Sequence, residues 1–166
     1  MYKMRHKNKS SEKILLGFSL VCIGVLIAAY YMEHFMGVTP CQMCLYERNI
    51  FMGVAAFSFL SFFLIPARFH STALVILGFI FMGGALFAGY HVAIQQKWVE
   101  LPAFCASNDF SALDSVESLR EQLLNTPLVR CDQVTWSLFG LSLAAYNAIL
   151  SFVLAITCWV WVKRKG

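Results

Sequence analysis

From residue 14 onward the chain alternates long uncharged apolar runs with short polar breaks. Ile14–Met32 is 19 residues without a charge, Asn49–Ile65 is 17, Thr72–Ile94 is 23 and Ser137–Val162 is 26. A helix crossing a bilayer needs about 20 predominantly apolar residues, roughly 17–25 in practice. Within lipid, backbone polar groups must pair inside their own segment, so each run reads as a helix. The pattern predicts an all-α membrane protein, a bundle of four transmembrane helices at approximately 14–32, 45–65, 72–94 and 137–162. Loops fall at 33–44 and 95–136, and residues 1–166 form a single membrane domain.

Composition supports this and excludes a water-soluble bundle. Hydrophobic residues make up 59% of the chain and charged residues 13%, against about 25% charged in ordinary soluble domains. Too little polar sequence remains to cover four such helices in water. The first run follows Lys3, Arg5, Lys7, Lys9 and Lys13, as a signal peptide would. It is longer than a signal h-region and ends in "YYMEHF" without a small-x-small cleavage site, so it reads as a retained helix.

Charge placement sets the expected orientation. The N-terminal tail, the "PARFHS" turn with Arg68, and the Lys163-Arg164-Lys165 end are basic, whereas segments 33–48 and 95–136 hold eight of the nine acids. The positive-inside rule then puts both termini in the cytoplasm and both loops outside. The net charge of +4 reflects that topology and gives no case for nucleic-acid binding.

Six cysteines divide along the same lines. Cys22 and Cys158 lie inside apolar runs, where a free thiol packs as a small hydrophobe. Cys41, Cys44, Cys105 and Cys131 lie in the outward segments, an even set on the side where disulfides persist. Inert staples, a four-thiolate zinc site and a redox relay all begin from such a set. Three details favour the relay. Cys105 and Cys131 stand 26 residues apart, unlike the paired knuckles of structural zinc. A Cys41–Cys44 bridge closes a loop too short to stabilise much through chain entropy. Both pairs also sit at one membrane face, where exchange between them is sterically open. Spacing alone does not choose among the three pairings of four cysteines.

The stretch "TPCQMCLYERN", residues 39–49, carries the densest chemistry. Pro40 disfavours an earlier helix start, so the second helix is expected to begin around Cys41–Leu45 with Cys44 in its opening turn. Unpaired N–H groups and the helix dipole favour a thiolate there. Arg48 lies one turn on, on the same face, and adds a fixed positive charge near the acyl-chain boundary. Glu47 lies off that face and is expected to pair with Arg48 or meet water. A thiolate at the bilayer edge calls for a lipid-soluble electron acceptor, and a quinone is the obvious one. Tyr90 and His91, in "AGYHVAIQQ", reach the same boundary. They either line a quinone head-group site, with His91 donating to a quinone oxygen, or form an interfacial belt.

Within the long loop, "DFSALDSVESLREQLLN" (109–125) has the periodicity of an amphipathic helix lying on the outer leaflet. Small residues recur at packing spacings: Gly84 with Ala88, Ala85 with Gly89, Gly140 with Ala144, and Ala144 with Ala148. Trp136, Trp159 and Trp161 mark interfaces, and Asn147 signals an interhelical hydrogen bond. No repeat, phosphate loop or hydrolase motif occurs.

With "PCQMCLYER" in a short outer loop, two cysteines in a longer one and "VRCDQVTWSLFGLSLAAYN" leading into the last helix, the chain resembles the disulfide bond formation protein B family. The resemblance covers most of its length. Those are bacterial inner-membrane thiol oxidoreductases with a periplasmic active site. It implies redox disulfides Cys41–Cys44 and Cys105–Cys131, with Cys105 forming the mixed disulfide with a soluble thioredoxin-like, DsbA-type oxidase. It further implies that Cys44 passes electrons to ubiquinone or menaquinone, and that Arg48 holds the quinone and stabilises the Cys44 thiolate. His91 matches a family position near that site, and no metal is implied. A vitamin K epoxide reductase-like protein is a rival, but its Cys-x-x-Cys is expected near the last helix. A non-catalytic scaffold with zinc or staples is the alternative from another class.

Overall fold

The computed structural model describes residues 2–102, 105 and 129–165. The amphipathic stretch 109–125 lies outside the described residues. Four helices are described: α1 Tyr2–Phe35, α2 Gln42–Leu64, α3 His70–Gln95 and α4 Leu143–Lys165, with a 3-10 turn Ala67–Phe69 before α3. All four contain segments long and apolar enough to cross a membrane, so the chain is a multi-pass membrane bundle. The exposed surface of these helices is itself apolar, with Leu64, Phe79 and Leu86 each about two-thirds exposed or more. Such a coat in water would be an aggregation liability, and in lipid it is the solvated face.

Helix ends follow local chemistry. Gly37 takes φ +68, which lets the Val38 N–H return to the Met32 carbonyl at 3.1 Å and stops α1. Lys97 (φ 59) occupies the left-handed position of a Schellman motif, with Trp98 N–H on Ala93 O and Lys97 N–H on Ile94 O, both 2.9 Å.

The fourth helix differs from expectation at its start. Residues 137–142 form a two-stranded hairpin, Ser137 opposite Ser142 and Leu138 opposite Leu141. Phe139 and Gly140 both have positive φ (50 and 79), the signature of a two-residue turn that matches strand twist. Gly140 is therefore a turn residue and takes no part in helix packing. Ser142 Oγ then accepts from Ala145 N–H at 3.3 Å, capping α4. The Tyr146 hydroxyl donates to Leu138 O at 3.0 Å and ties the hairpin to the helix.

Packing is strongest between α3 and α4, then between α1 and α2. The central core includes Phe18, Cys22, Leu74, Leu77, Phe81, Ala155 and Cys158, so both intramembrane cysteines are packed. Close approach of α3 to α4 depends on Gly78, where an added Cβ would meet Trp159 Nε1 at 2.5 Å, Trp159 Cδ1 at 2.9 Å and Cys158 Cβ at 3.3 Å. Gly78→Val is expected to cost about 1–3 kcal/mol through overpacking. SDS titration of helicity in mixed micelles reads this, with Gly83→Val, which faces open space, remaining near wild type. A second, smaller cluster at the loop end packs Cys41, Met43 and Ile94 with Cys105 and Cys131.

Candidate functional site

The site is built on the first turn of α2. Cys41 has extended backbone (φ −81, ψ 173) and is the N-cap. Its sulfur accepts from the Cys44 N–H at 3.5 Å and lies 3.3 Å from Cys44 Sγ. Both are thiols. Cys105 and Cys131 are joined by a disulfide, with Cα atoms 5.6 Å apart, packed in the same buried cluster as Cys41. Cys41, Cys44, Cys105 and Cys131 thus gather at one end of the bundle.

The first turn also polarises the Cys41 thiol. The Cys44 thiol donating to its sulfur, with further help from His91 and the Cys44 N–H, outweighs burial and holds the Cys41 thiol well below the ordinary range. An N-cap sulfur sits directly in front of the unpaired N–H groups, whereas the third helical residue does not.

Arg48 turns to α1. Its guanidinium pairs with Glu33, donates to Ala29 O at 3.3 Å and lies 5.2 Å from the Tyr30 ring centre. Glu47 departs from expectation, since it neither pairs with Arg48 nor meets water. It is 6% exposed, accepts from His91 Nδ1 at 2.9 Å and accepts from Asn147 Nδ2. The interhelical bond signalled by Asn147 is therefore made to a carboxylate. His91 is fully buried, with Nε2 3.5 Å from Cys41 Sγ, while Tyr90 is partly exposed as an interfacial ring would be. Glu33 and the burial of Glu47 escaped the reading of the sequence. The available signal was a carboxylate at each edge of an apolar run, which in membrane proteins marks function by default.

A cavity of about 190 Å³ lies between α1, α2 and α4, with Ala28, Phe51 and Leu150 among its apolar walls and Cys44, Glu47, Arg48 and Asn147 as its polar ones. Drug-sized pockets run from about 300 Å³, so this space suits a flat ring-sized head group. Ala28 is exposed, which opens the cavity sideways to the lipid. Apolar walls with Arg48 as cationic donor beside the Cys44 thiol suit a small planar ring of low polarity. A closed four-thiolate zinc centre is not formed, because Cys105 and Cys131 are bonded to each other.

A membrane bundle with a dithiol and a disulfide packed together at one end belongs to the class of multi-pass thiol–disulfide oxidoreductases. The family model described as disulfide bond formation protein DsbB matches residues 11–161. The chain is 33% identical over 154 residues to the disulfide bond formation protein B of Marinobacter nauticus, covering 87% of this chain and 88% of that relative. It is 28% identical over 166 residues to the protein of the same name from Aromatoleum aromaticum, covering 94% and 95%. The chain belongs to the disulfide bond formation protein B family.

Proposed function

We propose that the protein reoxidises a soluble periplasmic thioredoxin-like dithiol oxidase of DsbA type and passes the electrons to a membrane quinone. It would work in the bacterial inner membrane with its site on the periplasmic face. The observation that carries this is the packing of the Cys105–Cys131 disulfide against the Cys41/Cys44 dithiol, beside an apolar cavity that Cys44 and Arg48 line.

The exchange proceeds through this chain's own sulfurs. A partner thiolate attacks Cys105, breaks the Cys105–Cys131 bond and releases the Cys131 thiolate. Cys131 attacks Cys41 of the oxidised Cys41–Cys44 pair and frees Cys44 as a thiolate. The partner closes its own disulfide and releases Cys105, which attacks Cys131 and leaves Cys41 as the departing thiolate. Two electrons have then moved from the partner into Cys41 and Cys44, and the loop disulfide is restored. A low thiol pKa speeds departure, which suits Cys41 as the leaving group. Cys44 and Arg48 would hold the quinone, with His91 standing behind Cys41. Bound there, a quinone supplies a two-electron, two-proton acceptor.

The test mixes purified protein in nanodiscs with a reduced thioredoxin-like dithiol and either ubiquinone or menaquinone, following quinone absorbance. Turnover that disappears in Cys44→Ser is expected. Absence of turnover with both quinones, or its survival in Cys44→Ser, would overturn the reading.

A further inference from the structure

The mechanism above leaves a buried carboxylate unused. Glu47 sits in the apolar segment of α2 with one oxygen on His91 Nδ1 and the other on Asn147, and Ser151 Oγ donates to Asn147 Oδ1 at 3.4 Å. A buried carboxylate in a membrane helix is expensive, and this one ties α2 to α3 through His91 and to α4 through Asn147. It also fixes a ring. With Nδ1–H donating to Glu47, the other imidazole nitrogen is directed at Cys41 Sγ, 3.5 Å away. Nucleophile, base and orienting acid stand in line, the arrangement that activates Cys or Ser in hydrolytic triads on unrelated folds.

We infer that Cys41, His91 and Glu47 form a proton relay in which His91 Nε2 takes the Cys41 proton and Glu47, held by Asn147, balances the resulting imidazolium. The inference rests on the thiol-oxidising reading above and assigns roles to two residues that reading leaves idle. The step is a proton transfer alone: the S–H bond of Cys41 breaks, an N–H bond forms at Nε2, and the electron pair stays on sulfur. Run forward, it readies Cys41 for renewed disulfide formation with Cys44. During exchange, the imidazolium steadies Cys41 as it departs from Cys131. Glu47 and Asn147 touch no reacting sulfur in this scheme and are positioning residues.

Among the described residues, few charged or titratable groups face the relay. The α2 segment supplies Cys41, Cys44 and Glu47, α4 supplies only the neutral Asn147 and Ser151, and the loop supplies a disulfide. Arg48 and Glu33 pair with each other. One carboxylate therefore answers one imidazolium, and removing it should be felt at Cys41.

The experiment measures iodoacetamide alkylation of Cys41 against pH in the full-length protein in nanodiscs, with Cys41 and Cys44 reduced and the Cys105–Cys131 disulfide kept, and with fragmentation mass spectrometry to separate Cys41 from Cys44. Glu47→Gln keeps the shape and removes the charge. It is expected to move the Cys41 midpoint upward by about one pH unit, a tenfold loss of thiolate below the midpoint. Asn147→Ser, a gentler change in case the first variant folds poorly, is expected to move it in the same direction by a smaller amount. Helicity and elution volume equal to wild type establish that each variant is folded. An unchanged Cys41 profile in the folded variants would overturn the relay. The readout needs neither quinone nor partner. Midpoint shifts in the variants, together with a wild type that reduces no quinone, would remove the proposed function and leave the relay standing.

Discussion

A Cys105→Ser variant is expected to lose all turnover driven by a protein dithiol while keeping turnover driven by dithiothreitol. Cys41 is buried and held as the N-cap of α2, so on the proposed route a folded partner meets the loop pair first. The loop pair packs in the same cluster and is buried too, Cys105 at 5% and Cys131 at 1%, so a protein partner has to draw a loop sulfur out of the cluster before it reacts. A small dithiol needs no such step and reduces Cys41–Cys44 directly. The same substitution opens a crosslink spanning 26 residues, removing roughly 3–4 kcal/mol of chain-entropy stabilisation. Parallel quinone assays with the two reductants read the first effect. Protein-driven turnover surviving in Cys105→Ser would mean that the partner attacks Cys41 itself.

The second large effect is expected at Arg48. Arg48→Met should lower kcat/KM for quinone about 10²–10³-fold, the usual consequence of losing one preorganised donor at a site of developing charge. It also leaves Glu33 without its partner at the edge of the lipid. Their side chains are 13% and 31% exposed, so the stability loss should fall between the ~1 kcal/mol of an exposed pair and the ~3 kcal/mol of a buried one. Adding Glu33→Gln separates the two roles. The double variant should regain resistance to SDS but not quinone turnover. A double variant that regains turnover would make Arg48 an anchor for α1 and remove it from quinone binding.

How much of this was legible in the sequence depended on the range of the interaction. The four spans were legible because lipid leaves a long apolar run no alternative to a helix. The start of the fourth was not, since "SLFGLS" is as apolar as the helix behind it. Only the backbone shows that Phe139 and Gly140 turn with positive φ. The gathering of Cys41, Cys44, Cys105 and Cys131 at one end followed from topology. The contact of His91 with Cys41 did not, because it is a 3.5 Å approach across 50 residues of chain. Glu47 was misjudged for the same reason. Helical geometry places it off the face of Arg48, but only the partners on α3 and α4 reveal that this other face is the interior.

The sulfur of Cys41 fastens the start of a helix, and on the proposed route it is also the contact through which electrons enter the Cys41–Cys44 pair. Locked in a disulfide, it is a poor acceptor for the Cys44 amide, and as a thiolate it is a strong one. On the proposed cycle, each turnover would loosen and retighten the first turn of α2. The redox centre thus doubles as a mechanical joint, and the oxidation state of one atom is written into the firmness of the backbone beside the cavity.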